Sequence, residues 1–294
     1  MATKLLIVIS IANDRSASGW FVKGGAMAKQ KVQHFYHPVS GTISYVVSDM
    51  ASKETIIIDP VADYNEVTGE VTFQSSQMIL DYVEKHEFVV TAILETHIHA
   101  DHLTGAFFLS EKLGAPIHVS DAVKDVYSTW KDDLALNEMY EFENYLLDHE
   151  HLGFGESDLE VINTPGHTPA DLTYKVGDAI FVGDSLFHHG TGRADFPGGS
   201  AKQMFHSLSK LYDMDDNTKV YLCHNYPKTA DELVHMTTIG EEKHENDFIR
   251  EGTSEKDFVQ HREQRDDQLA DPKLINPALT YNLTASLPHS NDSA

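Results

Sequence analysis

The segment Thr96-His97-Ile98-His99-Ala100-Asp101-His102 packs four potential metal ligands into six residues, directly after the apolar run Phe88–Leu94. A run of that length and composition reads as a buried strand, so the ligands stand at a strand end. Along an extended chain, residues two apart point the same way, and His97 and His99 can converge on one ion. Asp101 and His102 fall where the chain turns into the next helix, aimed differently and suited to an adjacent ion. Three imidazoles and a carboxylate gathered without a cation would lose solvation with little in return. The segment therefore requires a fold that brings strand ends together at a metal-binding edge.

Four further segments supply matching side chains, each at a strand end. Thr164-Pro165-Gly166-His167-Thr168-Pro169 is a turn that presents His167. Val182-Gly183-Asp184-Ser185 hands Asp184 from a strand to a loop. Leu222-Cys223-His224-Asn225-Tyr226 places His224 after another strand, and Gly192-Arg193-Ala194-Asp195-Phe196 adds a cation and a carboxylate near Asp184. Isolated histidines such as His34, His118 and His206 read instead as surface or satisfied core residues. Imidazole and carboxylate together suit borderline divalent ions such as Zn²⁺ and Fe²⁺. Two such ions could share Asp184. One iron could equally take two histidines and Asp184 on one face, leaving positions open for water, oxygen and substrate.

The rest of the chain supplies the scaffold. Lys31–Tyr36, Ile43–Ser48, Thr55–Ile58, Phe88–Leu94, Ala115–Val119, Leu159–Asn163, Leu172–Val176, Ala179–Val182 and Lys219–Leu222 read as strands, with Gly177-Asp178 as a hairpin turn. Helical spacing runs over Ser76–Lys85, 102–113 (stopped by Gly114), Ala201–Leu211, Ala230–Thr237 and Ser254–Leu269. Signals are mixed between 121 and 155. The expected organisation is an extension over 1–26 outside the core, a catalytic domain over 27–240, and a C-terminal helical extension over 241–294 packed on it.

Composition narrows the partners. With 46 Asp and Glu against 22 Lys and Arg, the formal net charge is -24, which repels polyanions, so neither nucleic acid nor a membrane surface is expected. The run Leu5–Ala12 is too short to span a bilayer, and no small-x-small cleavage site follows closely. Cys223 is the single cysteine, excluding an intrachain disulfide and a zinc–thiolate cluster and fitting a cytoplasmic enzyme. It precedes His224 on a strand, so alternation points it away from the metal, as a small core residue. Asn282-Leu283-Thr284 fits the glycosylation pattern, which carries no meaning in a cytoplasmic protein.

With these segments in hand, the sequence resembles the metallo-β-lactamase superfamily: the HxHxDH motif and the later His167, Asp184 and His224 match it over roughly residues 32 to 240. The resemblance implies an α/β fold, an αββα sandwich with metals at one edge. Within the superfamily the chain is similar to the glyoxalase II group, and more so to the persulfide dioxygenase branch, through Gly190-Thr191-Gly192-Arg193-Ala194-Asp195-Phe196 after Gly183-Asp184-Ser185-Leu186-Phe187. It lacks the longer helical domain that glyoxalase II enzymes use for glutathione. The resemblance to the dioxygenases implies one Fe(II) per chain on His97, His167 and Asp184, with His99, Asp101, His102 and His224 mainly shaping its surroundings. It further implies glutathione persulfide and O2 as substrates, sulfite and glutathione as products, and a homodimer, for which 121–155 or the C-terminal tail could supply the contact.

Arg193 suits bidentate pairing with a glutathione carboxylate or, equally, pairing with Asp195 to order the loop. Tyr226 reads either as a hydroxyl near the substrate or as a packed aromatic. An anionic substrate approaching so acidic a chain needs a local basic rim, for which Arg193, Lys243, Arg250, Arg262 and Arg265 are the available cations. The rival from the resemblance is a dinuclear zinc hydrolase of glutathione thioesters, for which every ligand is also present. A β-lactamase leaves the Gly-Arg segment without a use, and a non-enzymatic redox-sensing module would carry a fused flavodoxin-like region.

Overall fold

The computed structural model describes residues 30–287; the extension expected over 1–26 lies outside them. Its strands are buried by alternation. In β2 (Thr42–Asp49) and β3 (Glu54–Ile58), Tyr45, Val47, Ile56 and Ile58 face one layer while Val46 and Ile57 face the opposite one. Burial on both sides is why these strands read as nearly continuous apolar runs.

The first sheet continues these two with β1 (Gln30–His37) before them. Three short strands follow, β4 (Val61–Asn65), β5 (Glu70–Thr72) and, after α1 (Gln74–His86), β6 (Val89–Leu94). Then come β7 (Leu103–Thr104), α2 (Ala106–Leu113), β8 (Ile117–Ser120), α3 (Val123–Trp130) and β9 (Asn144–Leu146). The sheet order is β1-β2-β3-β6-β8-β9, antiparallel to β3 and parallel beyond it, while β5-β4-β7 forms a small separate sheet. The second large sheet is sequential: β10 (His151–Phe154), β11 (Ser157–Asn163), β12 (Leu172–Val176), β13 (Ala179–Phe181), β14 (Lys219–Tyr221) and β15 (Met236–Thr238). Helix α4 (Ala201–Tyr212) crosses over between the parallel β13 and β14.

Three apolar clusters give the layers. One lies between the sheets, joining Ile43, Tyr45 and Leu94 to Leu159, Tyr174 and Phe181. Another packs α1, α2 and α3 on the outer face of the first sheet. The third packs α4, with α5 (Ile239–Glu245) and α6 (Glu255–Asp266), on the outer face of the second. This is the αββα sandwich. The last helix, α7 (Ile275–Thr284), returns to the first layer, where Leu279 and Leu283 join the cluster around α2.

Several sequence expectations need correction. The helix expected over 102–113 begins only at Ala106: Leu103 and Thr104 pair antiparallel with Ala62 and Val61, held by side chains from elsewhere described below. The helix expected over Ala230–Thr237 is a 3₁₀ turn at Ala230–Glu232 followed by β15, which covers the open edge of β14; Thr237 and Thr238 favour a strand once an edge is offered. The tail holds α7 beyond the helix expected to end near Leu269. Pro277 does not prevent it, because it sits in the first turn, where its missing N–H has no helical partner to lose. The 121–155 region resolves into α3, β9 and β10.

Candidate metal centre

All seven expected ligands meet where the two sheets end on the same edge. His97, His167 and Asp184 offer ligand atoms within 4.8 Å of one another, and so do His99, Asp101 and His102. The rings of His97 and His99 lie 4.0 Å apart, and those of His99 and His102 4.2 Å. Asp184 joins the two groups: Oδ2 is 3.7 Å from His167 Nε2, while Oδ1 is 3.3 Å from His224 Nε2, itself 3.6 Å from Asp101 Oδ2. A tetrahedral ion with arms of about 2.0–2.1 Å has ligand–ligand edges of about 3.3–3.4 Å, close to these separations. They are too long for good hydrogen bonds.

The donor set itself argues for an ion. His99 Nδ1, Asp101 Oδ2, His102 Nε2, Asp184 Oδ1 and both ring nitrogens of His224 are buried without a hydrogen-bond partner among the described residues. Unpaired polar atoms converging in a core are costly unless a cation binds them, so the residues present fit one or two divalent ions. Burial, reinforced by the charge on neighbouring His99, holds His97 well below the usual histidine range and His102 down at about 4. Both therefore stand as neutral imidazoles, the metal-binding form. Burial opposes ionisation of Asp101, yet His224 and His102 hold its carboxyl well below the usual range.

Side chains around the ligands fix their direction. His167 Nδ1 donates to the Arg193 carbonyl at 2.8 Å, which turns Nε2 towards Asp184. His102 Nδ1 meets Thr42 Oγ1 at 3.2 Å and Asp101 Oδ1 at 3.3 Å, leaving Nε2 for the centre. His99 Nε2 stands 3.2 Å from Asp59 Oδ1 and 3.4 Å from Glu95 Oε2, so Nδ1 faces the ligands. Burial works against charge on His99, but those two carboxylates outweigh it and raise its pKa well above the usual value. Asp59 also accepts from Thr96 N (2.7 Å) and Thr96 Oγ1 (2.8 Å), and Thr104 Oγ1 donates to Glu95 Oε1. From α7, Asn282 Nδ2 donates to the carbonyls of His99 and His102, each at 2.9 Å, and its Oδ1 accepts from Thr104 N at 2.8 Å. These bonds hold Leu103 and Thr104 out of the helix expected there.

Asp59, Glu95 and Asn282 have no site role in the sequence reading. Asp59 had a signal: a carboxylate ending the apolar run Ile56-Ile57-Ile58 ahead of Pro60. Asn282 had none beyond its dismissed tripeptide. Cys223 departs from the expected orientation. It is buried, but its Sγ reaches Asp59 Oδ2 at 3.6 Å and lies near the ring nitrogens of His99 and His224. The strand β14 ends at Tyr221, so strict alternation no longer applies there.

The segment Gly190–Phe196 wraps the centre. Gly192 N donates to Asp184 O at 3.0 Å, and a Cβ at Gly192 would come within 2.1 Å of that oxygen, so only glycine allows the approach. Arg193 takes the second of its two arrangements. Nε and Nη2 bond Asp195 at 2.6 and 2.7 Å, Nη1 donates to Ala270 O at 2.9 Å, and the guanidinium covers the Phe196 ring at 4.4 Å. Its fork is engaged by Asp195 of the loop and by Ala270 of the tail. Buried Arg262 pairs with Asp266 at 2.7 Å and donates to Thr191 O at 3.2 Å, while Asp266 accepts from Ala194 N at 3.0 Å. Helix α6 thereby clamps the loop.

Beside the metal edge lies a cleft of about 480 Å³ lined by Asp101, His167, Asp184 and His224 at one end and by Phe187, Phe248, Arg265, Leu269 and Pro272 along its walls. Of the five cations expected to form a basic rim, Lys243 pairs with Asp216 and Arg250 with Asp247. Arg193 and Arg262 are engaged as above. Arg265 lines the cleft and has no ion pair among the described residues. Tyr226 is not packed away: 71% exposed at the cleft mouth, it lies parallel to the His224 ring at 6.0 Å. No helix among the described residues is long and apolar enough to cross a membrane.

Comparison with known proteins gives the same picture. The model of the metallo-beta-lactamase superfamily matches residues 37–224. A beta-lactamase hydrolase-like protein of Agrobacterium fabrum is 36% identical over 280 residues, covering 91% of this chain, which spans 63% of that relative's length. The mitochondrial persulfide dioxygenase ETHE1 of Homo sapiens is 30% identical over 207 residues, 69% of this chain and 72% of that protein. The crystal structure of ETHE1 from Myxococcus xanthus superposes with a TM-score of 0.71 at 28% identity, covering 86% of this chain and 97% of that one.

Proposed function

The chain belongs to the metallo-β-lactamase superfamily, and from that premise we propose that it is a persulfide dioxygenase, oxidising glutathione persulfide with O2 to sulfite and glutathione at a single Fe(II). The observation that carries this reading is the loop Gly190–Phe196. It grips the metal edge through the Arg193 carbonyl on His167, in a chain that superposes on 97% of the Myxococcus xanthus ETHE1 structure.

In this reading His97, His167 and Asp184 hold the iron, which when bound supplies the electron-transfer chemistry that lets O2 react with the terminal persulfide sulfur. The remaining work belongs to the chain. His167 is kept in one tautomer by Arg193 O. His99, Asp101, His102 and His224 set the charge and shape beside the ion. Arg265, the unpaired cation of the cleft wall, neutralises an anionic group of the substrate, a role Arg193 cannot fill while its fork is bound to Asp195. Apolar Phe187, Phe248 and Leu269 limit water along the cleft.

A second reading, a dinuclear zinc hydrolase of glutathione thioesters, is supported by the placement of the two Asp184 oxygens toward opposite halves of the cluster. Metal analysis of anaerobically purified protein, with oxygen uptake on glutathione persulfide, separates the two. One iron per chain with oxygen consumption is expected. Two zincs, thioester hydrolysis and no oxygen uptake would overturn the dioxygenase reading in favour of the hydrolase.

A further inference from the structure

The geometry points to a second, separate transition-metal site at the turn His188-His189 against the start of α5, taking a borderline divalent ion such as Zn²⁺ on imidazole and carboxylate ligands. The turn is a two-residue loop: Phe187 and Gly190 exchange N–H···O bonds of 2.9 and 3.1 Å, so both loop residues are histidines. His189 is held at φ 57°, a left-handed conformation more usual for Gly or Asn.

The two rings stack with centroids 3.9 Å apart, and each Nε2 lies 3.4 Å from the same oxygen, Glu241 Oε1. That separation is long for an N–H···O bond, whose usual length is about 2.9–3.0 Å. It equals the ligand–ligand edge of about 3.3–3.4 Å expected of a tetrahedral zinc site. His189 Nε2 is buried without a hydrogen-bond partner among the described residues. Glu242 supplies a further oxygen: ligand atoms of His188, His189 and Glu242 all lie within 4.8 Å of one another.

The carboxylate of Glu242 is fully buried and already oriented, accepting from His189 N at 3.0 Å and Asn246 Nδ2 at 2.8 Å. Asp247 N and Asn246 Nδ2 bond the His189 and Gly190 carbonyls at 3.0 Å each, so turn and helix are joined before any ion arrives. His188 also lines the cleft beside the central cluster. An ion bound there would place positive charge on the cleft wall of a chain with net charge -24.

The test counts zinc. The whole chain, with its central site loaded, is dialysed against micromolar zinc, and bound zinc is measured by mass spectrometry. Wild type is compared with the double variant His188→Asn/His189→Asn and with Glu241→Gln. Asparagine tolerates the left-handed position, so the double variant keeps the turn, and Glu241 is surface-exposed, so its variant folds. The expected result is one fewer zinc per chain in the double variant and at least tenfold weaker binding of that ion in Glu241→Gln. In wild type alone, zinc should also raise the melting temperature. Equal zinc in wild type and double variant overturns the site. So does an extra ion that disappears in Asp101→Asn, because that ion belongs to the central cluster.

Discussion

Asn282 provides the sharpest test of how the C-terminal helix serves the metal loop. Its side chain satisfies three buried backbone groups, the carbonyls of His99 and His102 and the amide of Thr104. Replacing it with alanine strands all three. Each buried group without a partner costs about 1–3 kcal/mol. With some relief from entering water, the total is roughly 3–5 kcal/mol, which lowers the melting temperature on the order of 10 °C. Asn282→Asp is no rescue, since its second oxygen would face two carbonyl oxygens. Because His99 and His102 lose their backbone anchor, metal affinity should also fall, by about 10–100-fold. Calorimetry and competition with a metal chelator measure the two effects, and Asn276→Ala, exposed on the same helix, should stay within about 0.5 kcal/mol of wild type. Wild-type melting together with wild-type metal affinity in Asn282→Ala would refute the idea that α7 holds the ligand loop.

Other perturbations separate the remaining roles. Arg193→Ala should cost about 2 kcal/mol of stability through its bidentate pair with Asp195 and its contact with Phe196, and lower kcat through His167. Arg265→Ala should leave melting unchanged and raise KM for the proposed persulfide substrate about tenfold, so steady-state kinetics with the reverse pattern would exchange the two assignments. Asp59→Asn weakens the hold on His99 and Thr96 and should lower metal affinity about 10–100-fold, read by chelator competition. His118 is buried with its pKa lowered by desolvation, so the unfolded chain takes up its proton first. Stability should therefore fall as pH drops below the ordinary histidine value of about 6.5 and level off below the folded value. His118→Gln should flatten that slope in denaturant titrations across the same range.

The sequence displayed those features whose meaning is local. Alternation in Ile56-Ile57-Ile58 and the spacing of His97, His99 and Asp101 each state their own geometry, and the layers and the ligand cluster follow from them. What stayed hidden depends on partners far along the chain. Thr104 looks like part of a helix until Asn282 and Glu95 bind it. Thr237 looks helical until β14 offers an edge, and Asn282 shows no role until α7 folds back onto the loop.

Arg193 shows the same limit inside a legible motif. Its neighbourhood was marked by Gly192 and Asp195, and a planar fork suits a substrate carboxylate as well as a protein one. Choosing between them required knowing that Ala270 O and Asp195 use up the fork, and that α6 fastens Thr191 and Ala194 from the other side. With the loop closed from within, its backbone rather than its charge reaches the metal edge, through the carbonyl on His167. The cation that remains for a substrate then comes from α6, the element that also clamps the loop. Tightening that helix against Thr191 and Ala194 should thus move the cleft wall and the His167 anchor together, which makes a change in KM without any change in metal affinity the expected mark of Arg265 alone.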